Sequence, residues 1–100
     1  MRLKLYSSRR GDTSPNLVAL QSPDLDMLAT VLVCPLRNDV PLTRVRAEVT
    51  VGGSRFVVMG ELARPIHRRA LTPAGELNAE DSRRVIGTFL RLLAREASDR

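Results

Sequence analysis

Leu3-Lys4-Leu5-Tyr6 alternates apolar and polar positions and predicts a short first strand. Residues 7–15 hold no large apolar side chain and predict a loop. Asn16-Leu17-Val18-Ala19-Leu20 predicts a second strand, closed by Gln21-Ser22-Pro23. Asp24 to Ala29 predicts a short connector. Thr30 to Leu36 is apolar at nearly every position, the mark of a strand covered on both faces. Asn38-Asp39 and Pro41 then predict a loop. From Arg44 to Val51 the alternation is strict: Val45, Ala47, Val49 and Val51 share one face, and Arg44, Arg46, Glu48 and Thr50 the other. Gly52-Gly53 tolerates the positive φ of a tight hairpin turn, and Ser54 to Met59 returns as its partner strand. A two-residue loop fixes the register: Val51 faces Ser54, Val49 faces Phe56, and Ala47 faces Val58. Val49 and Phe56 are expected to be buried neighbours.

Between 61 and 77 the pattern weakens, because Pro65, Pro73 and Gly75 interrupt it. A short extended segment around Ile66 to Leu71 is expected there. Asn78 is expected to cap a helix with Glu80 and Asp81 in its first turn, where negative charge suits the helix dipole. Val85, Phe89 and Leu92 form one apolar stripe. Ile86, Leu90, Leu93 and Ala97 form a neighbouring one, and Arg84, Arg91 and Arg95 lie opposite. Several short strands followed by one helix predict a mainly β domain. Its expected form is a small, bent, barrel-like antiparallel sheet with a C-terminal helix packed on it, over residues 1–97, followed by a polar tail over 98–100.

A chain of 100 residues is expected to form one domain. Its aromatics are Tyr6, Phe56 and Phe89 alone, so Leu, Val and Ala must build the core. Such a core gains from dimerisation. No apolar run approaches the ~20 residues of a membrane helix, and the N-terminus lacks the apolar stretch of a secretory signal. A cytoplasmic location without membrane contact is the expectation. The single cysteine, Cys34, sits in an apolar run and reads as a small buried hydrophobe. With one Cys and one His, a zinc site would depend on carboxylates, and no metal or cofactor is expected. There is no phosphate-binding Gly-rich loop and no paired His, so no catalytic constellation is read and the chain is not expected to be an enzyme. One cluster, His67-Arg68-Arg69 with Arg64 nearby, has a base and cations of the kind metal-independent RNA cleavage needs. It reads equally as a solvated charge run. The net charge of +5 and pI near 10.9 point to nucleic acid or an acidic protein segment as partner classes. The dispersed aromatics offer no base-stacking platform.

The segments Leu20-Gln21-Ser22, Leu25-Asp26-Met27-Leu28-Ala29-Thr30 and Val31-Leu32-Val33-Cys34-Pro35-Leu36 come in sequence, then the hairpin Val49 to Met59, then the helix. With Lys4-Leu5-Tyr6 ahead of them, their order and spacing from Met1 to Leu93 resembles the CcdB toxin family. The resemblance implies the small barrel-like sheet that CcdB shares with the MazF/PemK ribonuclease toxins, and a homodimer. It implies the toxin half of a type II toxin–antitoxin pair that poisons DNA gyrase, a topoisomerase, by direct contact with one of its subunits. It also implies a cognate antitoxin with a disordered acidic tail, and operator binding for transcriptional autoregulation only through the antitoxin complex. A chain of charge +5 suits such a tail, and Arg9, Arg10, Arg44 and Arg46 are expected to meet it. The family's gyrase contact lies at the helix end, here Leu93, Ala94, Arg95, Glu96 and Ala97. That stretch has neither the family's glycine nor its final apolar residue. Two alternatives are a ribonuclease on the related fold and a binding domain that keeps the fold without gyrase poisoning.

Overall fold

The computed structural model describes residues 1–98, with side chains as far as Ala94. Asp99 and Arg100, the end of the expected polar tail, lie outside the described residues, as do the side chains of Arg95, Glu96, Ala97 and Ser98. Seven strands precede one helix: β1 (Lys4–Ser7), β2 (Leu17–Ala19), β3 (Thr30–Arg37), β4 (Arg46–Val51), β5 (Ser54–Met59), β6 (Arg64–His67), β7 (Thr72–Glu76) and α1 (Ala79–Ser98). The sheet is antiparallel and runs β4-β5-β3-β2-β1-β7, with β6 also on β3.

Period-two alternation divides the core. Leu3, Leu5, Val18, Leu20, Cys34 and Leu36 point to one side, where Val85 of the helix joins them. Tyr6, Leu17, Ala19, Val31 and Val33 point to the other, closed by Leu71. β3 therefore feeds both clusters, which is why its sequence is apolar at successive positions. It also bends the sheet. Thr30–Val33 pair with β6 and Leu36–Arg37 pair with β5, so one strand turns from one neighbour to another along its length. The result is a half-barrel with the helix packed against its β4–β5 end.

The hairpin has the register read from the sequence, with Val51 on Ser54, Val49 on Phe56 and Ala47 on Val58. Gly52 and Gly53 both take positive φ, 58° and 82°, as a two-residue turn requires. Val49 is buried, but Phe56 is only half-buried, because it sits at the rim of the core over an open groove. Residues 61–77 depart further from expectation. The segment 66–71 is not one extended piece: β6 ends at His67, a 3-10 turn occupies Arg68–Ala70, and β7 follows. β7 contains Pro73 and Gly75, which an edge strand tolerates since half of its backbone groups need no partner.

Asn78 caps α1: its Oδ1 accepts the Asp81 N–H at 2.7 Å. Ser82, fully buried, accepts the Leu3 N–H at 2.9 Å and ties the chain's start to the helix's first turn. Val85 is buried, and Phe89 and Leu92 are partly so. The second apolar stripe is not covered. Ile86 is half-buried and Leu90 and Leu93 are 57% and 49% exposed, because the narrow sheet faces only one stripe.

Candidate functional site

The loop after β1 is held at both ends. Asn16 accepts the Ser8 N–H at 2.9 Å and donates its side-chain amide to Ser8 Oγ at 2.8 Å. Its own N–H goes to Tyr6 O, and its carbonyl accepts from Leu36. The Thr72 hydroxyl donates to Arg9 O at 3.4 Å, fastening the loop to β7. Gly11, with φ 76°, makes the turn at the tip.

Two adjoining grooves flank this loop and share Ser8. The first, of about 420 Å³, has an apolar floor of Leu17, Pro35, Leu36 and Phe56 and carries Arg9, Arg37 and Arg64. The second, of about 400 Å³, is lined by Arg10, Arg69, Ala70 and Thr72 beside Ser8. Arg37 is paired with Asp39 through two donors, at 2.9 and 2.8 Å, and this pairing holds the Asp39 carboxyl below its ordinary value. Arg9 lies 3.6 Å from Asp12, whose carboxyl is lowered chiefly by the Ser14 N–H. Among the described residues, Arg10, Arg64 and Arg69 have no carboxylate within 4.0 Å. Three of the five arginines at these grooves therefore have uncompensated charge.

A third groove, of about 790 Å³, runs between β4 and α1 and takes in Arg44, Arg46, Arg84 and Arg91. The four arginines expected to meet an acidic tail thus fall at opposite places: Arg9 and Arg10 at the β1–β2 loop, Arg44 and Arg46 at the hairpin. Arg46 is partly withdrawn from solvent, donating to Glu61 at 2.9 Å and Pro41 O at 3.0 Å. Arg84 donates to the Glu48 carbonyl at 3.1 Å and to Asp81 at 2.6 Å. Asp81 also accepts the Thr50 N–H at 2.9 Å. Helix side chains thereby occupy backbone groups on the open edge of β4, which would otherwise template strand addition.

His67-Arg68-Arg69 does not act as a cluster. His67 is exposed at the end of β6, and Arg69 turns to the second groove. Arg68 turns inward and donates to Leu28 O at 2.8 Å, Tyr6 Oη at 3.2 Å and Leu25 O at 3.4 Å. Together with the Lys4–Asp26 ion pair it pins the connector 24–29, whose Leu25, Met27 and Leu28 side chains stay exposed. Sequence reasoning missed Arg68, Arg64 and Arg69 as separate actors. Arg68 makes contacts some 40 to 62 positions away, and nothing in its local pattern signals them.

At the helix end, Leu93 and Ala94 are exposed; Arg95, Glu96 and Ala97 have no described side chains. Cys34 is fully buried, and that burial pushes its thiol up to about 12. Among the described residues no group of three or more His, Cys, Asp or Glu could hold a metal ion. Among them, no helix is long and apolar enough to cross a membrane.

No family model and no curated protein matches the sequence. Among solved structures, a chain of the MazE–MazF complex (form II) from Deinococcus radiodurans is similar, with a TM-score of 0.67 and 15% identity, over 92% of this chain and 89% of that one. The half-barrel with a C-terminal helix is thus a MazF-like fold.

Proposed function

We propose that the chain is the toxin component of a type II toxin–antitoxin pair, acting in the cytoplasm as a homodimer and neutralised by a cognate antitoxin with an acidic tail. The observation that carries this reading is the fold's likeness, over 92% of the chain, to a chain of the MazE–MazF complex. The ordered CcdB-like segments and the charge of +5 support it. The exposed stripe of Leu90 and Leu93 supports self-association, since a lone helix rarely leaves such side chains unpartnered.

The leading target is DNA gyrase, reached by protein contact at Leu93, Ala94, Arg95, Glu96 and Ala97 and without chemistry of its own. An apolar wedge in a partner's pocket is a common hot spot worth ~2 kcal/mol or more. This stretch has Arg95 and Glu96 where the family has its wedge and glycine, so weak poisoning is expected. Operator DNA would be bound only with the antitoxin. The second reading, RNA cleavage, draws on the MazF-like fold and on His67 and the nearby Arg64 and Arg69.

Induced expression in cells, scored for gyrase-linked DNA breaks against RNA cleavage, separates them. Deleting residues 98–100 and introducing Arg95→Trp, Glu96→Gly and Ala97→Ile should raise gyrase-dependent toxicity. RNA cleavage abolished by His67→Ala would establish the second reading instead. Growth without arrest under any of these conditions would count against a toxin altogether. Sedimentation at micromolar concentration should give roughly twice 11.1 kDa, and a clean monomer would refute the dimer.

A further inference from the structure

The two grooves at the β1–β2 loop differ from the hairpin groove in what remains uncommitted. At the β4–α1 groove, Arg46 is held by Glu61 and Arg84 by Asp81 and Glu80. Glu48, Glu80 and Asp81 are also part of that groove and place negative charge along it. At the loop, Arg10, Arg64 and Arg69 are unpaired among the described residues, and the two local carboxylates, Asp12 and Asp39, already face Arg9 and Arg37. The first groove pairs that charge with a floor of Leu17, Pro35, Leu36 and half-buried Phe56. Anchoring of the loop by Asn16 and Thr72 means the grooves exist before any ligand arrives, which lowers the ordering cost of binding.

We infer that these adjoining grooves take an extended acidic peptide with an apolar residue between its carboxylates, the apolar side chain resting on Phe56 and the carboxylates meeting Arg64 on one side and Arg10 and Arg69 on the other. The inference rests on the acidic-partner reading and deepens it: the tail meets Arg9 and Arg10 with Arg64 and Arg69, and not Arg44 and Arg46. Charge complementarity selects a polyanion, and the floor selects a peptide over RNA. A single half-buried ring with aliphatic neighbours gives no succession of faces on which bases could stack. Paired guanidinium groups suit carboxylates in the planar, two-pronged manner.

The test uses the full chain and fluorescein-labelled short peptides of aspartate and glutamate with a central leucine or a central serine, followed by anisotropy. An oligo-uridine of matched length is the nucleic-acid probe. The leucine peptide should bind more tightly than the serine peptide, with an affinity that falls as salt is added. Arg64→Glu and Arg69→Glu should each weaken it on the order of tenfold, whereas Arg83→Glu, which removes the same charge from the exposed face of the helix, should change it less than twofold. Thermal melts that match the parent chain would show that the variants fold. Phe56→Leu should reduce the preference for leucine over serine. Equal losses from all the charge reversals would overturn the inference in favour of net charge alone. Losses from Arg44→Glu with none from Arg64→Glu or Arg69→Glu would move the tail to the hairpin groove, leaving the acidic-partner reading intact. Tighter binding of the oligo-uridine through Arg64 and Arg69 would replace the peptide with nucleic acid. Failure of both peptides to bind would overturn the site, whatever the expression experiment says about toxicity.

Discussion

Replacing Asp81 with alanine removes the carboxylate that joins the helix's first turn to the sheet edge. Its side chain accepts from the Thr50 N–H at 2.9 Å, from Arg84 at 2.6 Å and from Asn78 Nδ2 at 3.3 Å, in a residue only 7% exposed. Hydrogen bonds involving a charged group contribute roughly 1.5–3 kcal/mol each where solvent is excluded. Three are lost, but not at full value. Thr50 is exposed, so water can reach its amide once the carboxylate is gone, and Arg84 keeps Glu80 and the Glu48 carbonyl. Loss of a first-turn anion adds a few tenths more, about 0.5 kcal/mol. The expected cost of Asp81→Ala is about 3 kcal/mol, a large share of the ~5–15 kcal/mol that holds a domain folded. Asp81→Asn, which keeps one acceptor oxygen, should cost about half as much. Urea titration measures both, with an unchanged slope showing that only stability moved. Amide hydrogen exchange at Thr50 should accelerate in the alanine variant more than at Val49. A loss below about 1 kcal/mol, or an unaltered Thr50 exchange rate, would show that the helix does not depend on this contact.

Arg68→Met keeps the stem of the side chain and removes its donors to Leu28 O, Leu25 O and Tyr6 Oη. It should cost about 2 kcal/mol and open the connector 24–29 to limited proteolysis; cleavage no faster than in the parent chain would refute the clamp. Phe56→Ala should cost about 2 kcal/mol by denaturant titration, below the ~3–5 kcal/mol of a fully buried Phe, because one side of the ring faces the groove. The Cys34 thiol should resist an aromatic disulfide reagent at neutral pH until the chain unfolds. Burial raises its pKa from 9.0 to about 12, so between those values the unfolded chain releases a proton that the native one keeps. Stability should therefore fall as pH rises through that window, by up to ~1.4 kcal/mol per unit. Cys34→Ala should flatten that slope; an identical slope would show that other groups cause it.

How much could be read in advance varies from element to element for physical reasons. The hairpin was legible to the residue: its alternation, its Gly52-Gly53 turn and its pairing are local, and a slip of one position would turn every valine outward. The cap at Asn78 was legible for the same reason, since the bond to Asp81 spans three residues. β3 announced by its unbroken apolar run that both faces would be covered. β7 could not be read, because Pro73 and Gly75 are admissible only at a sheet edge, and edge position is a property of the assembled topology. The helix showed two apolar stripes, but only the width of the sheet decided that Leu90 and Leu93 would remain outside.

The sequence by itself determined the charge of the chain, the class of its fold and a segment order shared with a toxin family, since each of these is a sum or a short-range pattern along the chain. Which arginines act together was decided by tertiary structure alone. Arg68 and Arg69 are adjacent in sequence and separate in space, one turned in to clamp a connector and one out to a groove. Arg10 and Arg69 are far apart in sequence and line the same groove because β1 pairs with β7. The direction of a long charged side chain follows from what surrounds it, and those surroundings exist only once the strands have paired.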